Sequence, residues 1–283
     1  MRLCHAPIAP GLWQAPSRSA ERIRPRCRAL RTRLRNQLAK DLKETVRTYR
    51  AWVLVGACVV FGIVSPVMMK ILPRIMPESE EFQIIFKDTT AVSAATQYFD
   101  NVAQIISLIV VILAAGVVAG KRSAGFYQIL LTKPVRRGEI VASAFAAHAL
   151  LILAGLIAGH VCFALYTELL FGGLSLWGVL ASLAACAASL WLLLALTVFL
   201  GVATRRAALA GVLSFLGFFL VSLLLGLLPL PWEIAPSALF GMSSEVVAGK
   251  AGLAGMVPGT ITALLVAAAL LFASMRLFER ADL

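Results

Sequence analysis

The 283-residue chain is 60% hydrophobic and only 14% charged, with a mean hydropathy of +0.88. Soluble domains carry about 25% charged residues, and a compact fold of this size could not bury so much hydrocarbon from water. The composition therefore excludes a soluble globular protein and predicts an all-α integral membrane protein. The net charge of +12 is explained by where the basic residues lie.

The first 50 residues are strongly basic, with 13 of the 26 Lys and Arg residues and only three acidic ones. Residues 1–27, which contain four prolines, are predicted to form a disordered basic arm. In residues 28–50 an apolar residue recurs every four positions and basic residues occupy the other side, which predicts an amphipathic helix in the plane of the lipid headgroups. The apolar positions are Leu30, Leu34, Leu38, Leu42 and Val46. A solvated helical face is the alternative for this helix, and nucleic-acid binding is the alternative for the whole basic block.

Six apolar stretches follow, and each is long enough to cross a hydrocarbon core, which takes about 20 helical residues. They span residues 51–69, 102–120, 140–166, 176–203, 207–228 and 255–275. The segments at one side of these spans hold 22 of the 26 basic residues, whereas the other side holds eight of the 14 acidic ones, including Asp100 in the first external loop. Basic residues stay on the cytoplasmic side of a membrane, so both termini are predicted to lie inside the cell. Residues 51–283 are thus predicted to form a six-helix transmembrane domain of a multi-pass protein in the cell (cytoplasmic) membrane.

The segment before the last span is too apolar for an ordinary loop and is interrupted by prolines. We expect a re-entrant segment here, because broken helices are tolerated at membrane depth where protein surrounds them. Its marker residues are Pro229, Pro231, Trp232 and Pro236. Three Gly-x-x-x-Gly spacings, at Gly116–Gly120, Gly155–Gly159 and Gly255–Gly259, further permit close contacts between helices.

Two histidines, His148 and His160, are the only ionisable residues within the predicted spans. They are twelve positions apart, which places them about 120° apart around a helix, so they are not expected to form a pair. A structural role for each is favoured over a proton relay. The sequence offers no recognised catalytic or metal-binding motif and no phosphate-binding loop, so we predict no catalytic residues, no metal site and no cofactor bound by this chain. Any energy from ATP would have to come from another polypeptide.

The basic segment between the second and third spans reads GKRSAGFYQILLTKPVRRGEIV from Gly120 to Val141. It resembles the cytoplasmic loop of permease subunits of ABC transporters of the ABC-2 class, and the resemblance covers about residues 36–283. The residues that match the family pattern are Gly120, Gly125, Leu130, Leu131, Pro134, Val135 and Arg137. Lys121 and Phe126 depart from it, since the family usually has Glu and Thr there.

This resemblance implies a permease subunit that forms a translocation pathway as a dimer, with a second copy or a homologous permease. It also implies an ATPase partner, the nucleotide-binding subunit that uses ATP and Mg²⁺. The loop would contain a coupling helix that docks on this subunit, the N-terminal helix would lie along the membrane lipid, and the re-entrant segment would form an outer gate. The residues assigned to docking are Gly120, Lys121, Arg122, Gly125, Phe126, Tyr127, Leu130, Leu131, Pro134, Val135, Arg136 and Arg137.

The residue types in the loop agree with a docking role. Residues 123–131 can form two helical turns that expose four apolar side chains, and Pro134 would end the helix near Thr132. Basic residues surround this apolar surface, so it is suited to a protein partner. A loop that lies on lipid headgroups, with its aromatic residues as anchors, is the alternative.

The function expected from the sequence is therefore an ABC exporter permease without nucleic-acid partners, whose apolar spans favour a hydrophobic or amphipathic cargo. Two alternatives stay open. One is an ion-coupled secondary transporter or intramembrane enzyme that uses His148 and His160, and the other is a membrane scaffold that transports nothing.

Overall fold

The computed structural model describes residues 39–75, 90–116, 137–204, 206–227 and 235–280. Within these ranges the chain is helical and contains no β-strand, so the predicted all-α fold is confirmed. The helices are α1 (39–47), α2 (Tyr49–Ile75), α3 (Ala91–Ala115), α4 (Arg137–Leu170), α5 (Leu176–Thr204), α6 (Ala207–Leu227), α7 (Ala238–Val247) and α8 (Met256–Arg280). The predicted disordered arm, 1–27, lies outside the described residues.

Among the described residues, five helices are long and apolar enough to cross a membrane, which by length and composition makes the chain a multi-pass membrane protein. They cover Ala51–Leu72, Ala91–Ala115, Gly138–Leu170, Leu176–Thr204 and Leu253–Glu279. α6 contributes a shorter apolar helix over Ala207–Val221, so the number of six spans stays a prediction.

α5 is the central helix of the bundle and contacts α3, α4, α6, α7 and α8. It carries no charged residue, and most of its side chains are buried. A helix that is apolar around its whole circumference belongs in the interior, and this pattern explains why α5 is enclosed by the other helices.

Hydrogen bonds between helices hold the bundle together, because lipid cannot satisfy polar groups and does not drive helices to associate. Thr197 Oγ1 of α5 donates to Ser214 Oγ of α6 at 2.9 Å. Trp191 Nε1 of α5 donates to the carbonyl oxygen of Ala149 in α4 at 3.1 Å. These contacts attach α6 and α4 to the central helix.

The bundle has two ends, which we name after residues. α1, the start of α4 and the end of α8 lie at the Arg137 end, because a Cβ built on Gly138 would lie 3.1 Å from Glu279 Oε1. The loop between α4 and α5 lies at the opposite, Ser175 end, where Lys70 Nζ also donates to the carbonyl oxygen of Leu170 at 3.1 Å. The end of α2, the start of α3 and the end of α7 therefore lie at the Ser175 end.

α7 runs along the first half of α5 in the opposite direction. Ser175 N donates to the carbonyl oxygen of Val247 at 3.0 Å, and Ser189 Oγ donates to that of Pro236 at 2.7 Å. The two serines are about 21 Å apart along α5, since each residue adds 1.5 Å to a helix. The segment from Pro236 to Val247 therefore extends from the middle of α5 to its start.

α3 begins at Ala91, eleven positions before the predicted start of the second span at residue 102. The placement of Asp100 in an external loop is therefore wrong, because this residue lies within the helix. The polar residues between Gln97 and Asn101 lower the local hydropathy and suggest a loop. However, Tyr98 and Phe99 are buried against other helices and keep the segment helical.

α2 and α4 meet with their backbones in contact. A Cβ on Gly62 would lie 2.5 Å from the carbonyl oxygen of Gly159, and one on Gly159 would lie 2.8 Å from that of Cys58. A Cβ on Gly155 would lie 3.4 Å from Cys58 Sγ. The close contact that the spacing of Gly155 and Gly159 permits is thus present, and glycine is required where the two backbones touch.

Replacing Gly62 by Ala should destabilise the chain by about 1–3 kcal/mol, because the added methyl group would force α2 and α4 apart. Thermal unfolding of the purified protein in detergent measures the loss. Gly56→Ala is the matched control on the same helix, since a Cβ there would meet no atom within 4 Å. Equal melting temperatures for the two variants would contradict the close contact.

Candidate functional site

The predicted docking residues from Gly120 to Arg136 lie outside the described residues. Arg137, the last residue of the predicted docking set, is the only one that is described. Arg137 is the first residue of α4. α3 ends at Ala115, and a Cβ on Gly211 near the start of α6 would lie 3.5 Å from the Ala115 Cβ. The described helices that flank the docking segment therefore both reach the Arg137 end of the bundle.

The start of α4 is held between two other elements. On one side Ser143 Oγ donates to Asp41 Oδ2 of α1 at 2.7 Å. On the other side Gly138 faces Glu279 and Met275 of α8. The first two turns of α4, which directly follow the predicted docking segment, are thus attached to both α1 and the end of α8.

α1 covers the described part of the predicted amphipathic helix. Its Asp41 side contacts α4, whereas Leu42 and Val46 lie on another side, and Val46 is 46% exposed. The chain then turns at Thr48 into α2, whose first aromatic residues, Tyr49 and Trp52, are also exposed. This apolar and aromatic surface suits the interface between lipid and water.

Ser143→Ala should loosen α1 without unfolding the bundle, because it removes the hydrogen bond to Asp41. Loss of one such bond is worth about 1 kcal/mol, so amide hydrogen exchange in residues 39–47 should quicken by about fivefold. Ser182→Ala is the control, since the buried Ser182 hydroxyl donates to Val179 of its own helix. An unchanged exchange rate in α1 would contradict the attachment.

A buried aromatic cluster joins α3 to α4. Tyr98 Oη lies 3.0 Å from His160 Nδ1, and the Tyr98 ring stacks on Phe163 at 4.5 Å. Phe99 contacts the rings of Tyr98 and Phe163 edge-on, and all four side chains are buried. The cluster fixes the rotation of α3 about its own axis.

The contacts of the two histidines favour structural roles. His160 Nδ1 also lies 3.0 Å from the carbonyl oxygen of Leu156, and His160 Nε2 has no hydrogen-bond partner among the described residues. His148 Nδ1 lies 2.9 Å from the carbonyl oxygen of Ala144 in its own helix. The two rings have different partners on α4.

Tyr98→Phe should lower the free energy of unfolding by about 0.6 kcal/mol and at most about 1.7 kcal/mol, the range measured for hydrogen bonds between membrane helices. The ring and its stacking on Phe163 would be retained, so the change isolates the hydroxyl. Tyr166→Phe is the control, because Tyr166 lies partly exposed on the same bundle. If both variants unfold alike, the hydroxyl of Tyr98 does not hold α3.

An open groove of about 570 Å³ lies at the Ser175 end, between the end of α2, the start of α3 and the loop before α8. Thr96, Gln97 and Asp100 of α3 and Lys250 of the loop contribute its polar groups. Sequence analysis missed this site because it placed Asp100 in a loop. The spacing of Thr96, Asp100 and Gln104, with buried aromatic residues between them, is the signal that could have revealed a helix with one polar face.

α3 contains a π-helical segment, Val102–Ile106, directly after Asp100 and Asn101. The Ser107 hydroxyl donates to the carbonyl oxygen of Val102 at 3.2 Å, and Asn101 Nδ2 donates to Ser65 Oγ of α2 at 3.1 Å. π-helical turns are rare and occur frequently at functional sites. The irregular backbone and the groove therefore adjoin on the same helix.

Of the predicted gate residues, Pro236 is described and its carbonyl oxygen contacts Ser189, whereas Pro229, Pro231 and Trp232 lie outside the described residues. Gly178 allows α7 to approach α5, because a Cβ there would lie 2.5 Å from the carbonyl oxygen of Val246.

Comparison with protein families gives one match, over residues 54–283, to a family described as a protein of unknown function (DUF2705). The match covers most of the chain, which therefore belongs to this family. A search of curated proteins found no match.

Proposed function

We propose that this member of the DUF2705 family is the permease subunit of an ABC exporter. Two such subunits, either two copies or this chain and a homologous permease, enclose the translocation pathway in the cell membrane. Separate nucleotide-binding subunits hydrolyse ATP–Mg and drive the transport. α6 supplies the sixth span, and both termini lie in the cytoplasm.

The observation that carries this proposal is the sequence of the loop from Gly120 to Arg137, which follows the ABC-2 permease pattern. Its position supports the proposal, because the flanking helices α3 and α4 both reach the Arg137 end. Exposed basic residues of α1 and Arg206 belong to this end as well. The positive-inside rule then makes the Arg137 end cytoplasmic, on the side where ATP is available.

The fold offers a route from the docking loop to the opposite side of the membrane. α4 is a continuous helix of 34 residues, about 51 Å long, that starts at Arg137. The Tyr98–His160 contact links its second half to α3. A displacement at the start of α4 would therefore be transmitted to α3 as a rigid movement of the helix pair.

The segment from Pro236 to Val247 suits an outer gate. It starts beside the middle of α5, at Pro236, and runs through α7 to the Ser175 end. Its irregular backbone near Pro236 is bonded to Ser189 rather than to lipid, which is the condition for a broken helix at membrane depth.

The docking assignment is tested by placing a charge on the apolar surface of the loop. Phe126→Asp and Leu130→Asp should each lower cargo-stimulated ATP hydrolysis of the reconstituted complex by about tenfold or more, because buried apolar anchors dominate protein interfaces. Leu253→Asp is the control, since Leu253 is an exposed apolar residue outside the loop, near the opposite end. Full stimulation in the Phe126 and Leu130 variants would refute the docking role.

The rival hypothesis of histidine chemistry makes a different prediction. If His148 or His160 carried protons or catalysed a reaction, replacement of either by Gln should abolish activity in a protein that is still folded. The permease proposal expects retained transport in His148→Gln and, at most, reduced stability in His160→Gln. Transport by correctly folded variants in proteoliposomes separates the two hypotheses.

A further inference from the structure

We infer that Asp100 and the polar face of α3 bind the cationic group of an amphipathic cargo molecule. This inference rests on the proposed function for its biological meaning, but the binding site itself is a property of this chain alone. Its support comes from the depth of Asp100, the orientation of α3 and the charges around the groove.

Asp100 is the charged residue farthest from a span end in the described bundle. It is the tenth residue of the span Ala91–Ala115, about 14 Å from the start of this helix. The other Asp, Glu, Lys and Arg residues of the five candidate spans lie within four positions of a span end, namely Lys70, Glu139, Glu168, Arg276 and Glu279. A carboxylate at such depth is costly in lipid, and residues of this kind usually belong to a substrate or ion path.

The aromatic cluster determines the direction in which Asp100 points. Because Tyr98 and Phe99 are buried against α4, the opposite face of α3 is turned away from the bundle. Thr96, Asp100 and Gln104 follow one another on this exposed face at four-residue intervals. Asp100 is thus held outward by the same contacts that fix the helix.

Along α3 the exposed face changes from polar to apolar. After the polar residues, towards the Arg137 end, the same face continues with Leu108 and Ile112, and Ile112 is 65% exposed. A molecule that lies along α3 would therefore meet a carboxylate and amides with one end and hydrocarbon with the other. This arrangement matches an amphipathic molecule with a polar head and an apolar body.

The charges in the groove favour a cationic head. Asp100 has a short side chain on a helix, so its carboxylate has little freedom to leave the groove that it lines. Lys250, the basic residue among the described residues that line the groove, lies on the exposed turn after Gly249, and its long side chain can extend into water. The charge held in place on the helix is therefore negative, and it lies at the edge of an open groove of about 570 Å³.

Tetraphenylphosphonium and tetraphenylborate test this inference, because they have nearly the same size and shape but opposite charge. Equilibrium binding is measured on the purified full chain in nanodiscs of neutral lipid, without any ATPase subunit. We expect the phosphonium to bind at least tenfold more tightly than the borate. Asp100→Asn should weaken phosphonium binding by about tenfold, whereas Asp100→Glu should retain it.

Two further variants separate a binding site from a structural charge. Asp100→Lys should reverse the preference in favour of the borate, and Lys250→Gln should strengthen phosphonium binding severalfold, because it removes the repelling charge. Glu245→Gln is the control, since Glu245 is exposed on α7 but does not line the groove. Thermal unfolding of each variant verifies that it is folded.

The inference is overturned if phosphonium binding is unchanged in folded Asp100→Asn, or if Lys250→Gln weakens it as much, since Asp100 and Lys250 would then act as a structural pair. The proposed function fails separately, in the ATPase experiment on Phe126 and Leu130. If the chain binds the phosphonium selectively but the loop variants do not affect ATP hydrolysis, this inference stands and the proposed function fails. If the loop variants lower ATP hydrolysis but the chain does not distinguish the two ions, only this inference fails.

Discussion

The packing of α3 on α4 through the buried cluster of Tyr98, Phe99, His160 and Phe163 is the interaction on which the arrangement of this bundle depends most. Lipid provides no partner for a hydroxyl, so the Tyr98 hydroxyl finds its partner, His160, only where α3 and α4 pack together. α2 joins the pair through the backbone contact of Gly62 and Gly159. The three helices thereby form a unit in which each has a fixed rotation, and this unit packs against the central helix α5.

The fixed rotation of α3 connects the fold to the proposed transport function. It buries the aromatic side of the helix and turns Asp100 outward, where a second subunit or a cargo molecule could face it. The same contact attaches α3 to α4, whose first residue, Arg137, is the last residue of the proposed docking loop. An event at the Arg137 end would thus reach the polar face of α3 through two rigid helices rather than through a flexible connection.

The sequence was sufficient for the all-helical fold, the apolar character of the long helices and the close contact at Gly159, because these follow from composition and periodicity. It was wrong about Asp100, because hydropathy averages over a window and cannot recognise that Tyr98 and Phe99 bury one side of a polar segment. The partner of His160 could not be predicted either, because Tyr98 lies 62 positions away in the sequence. The docking loop remains a prediction from its residue pattern.

Photocrosslinking at position 126 in native membranes tests the central claim most directly, namely that a separate ATPase acts on the loop between α3 and α4. A photoreactive amino acid is placed at Phe126 and, as a reference, at Leu253 near the opposite end of the bundle. The account predicts that position 126 forms an adduct with a polypeptide that contains a nucleotide-binding domain and that position 253 does not. Adducts with lipid alone at position 126 would contradict it.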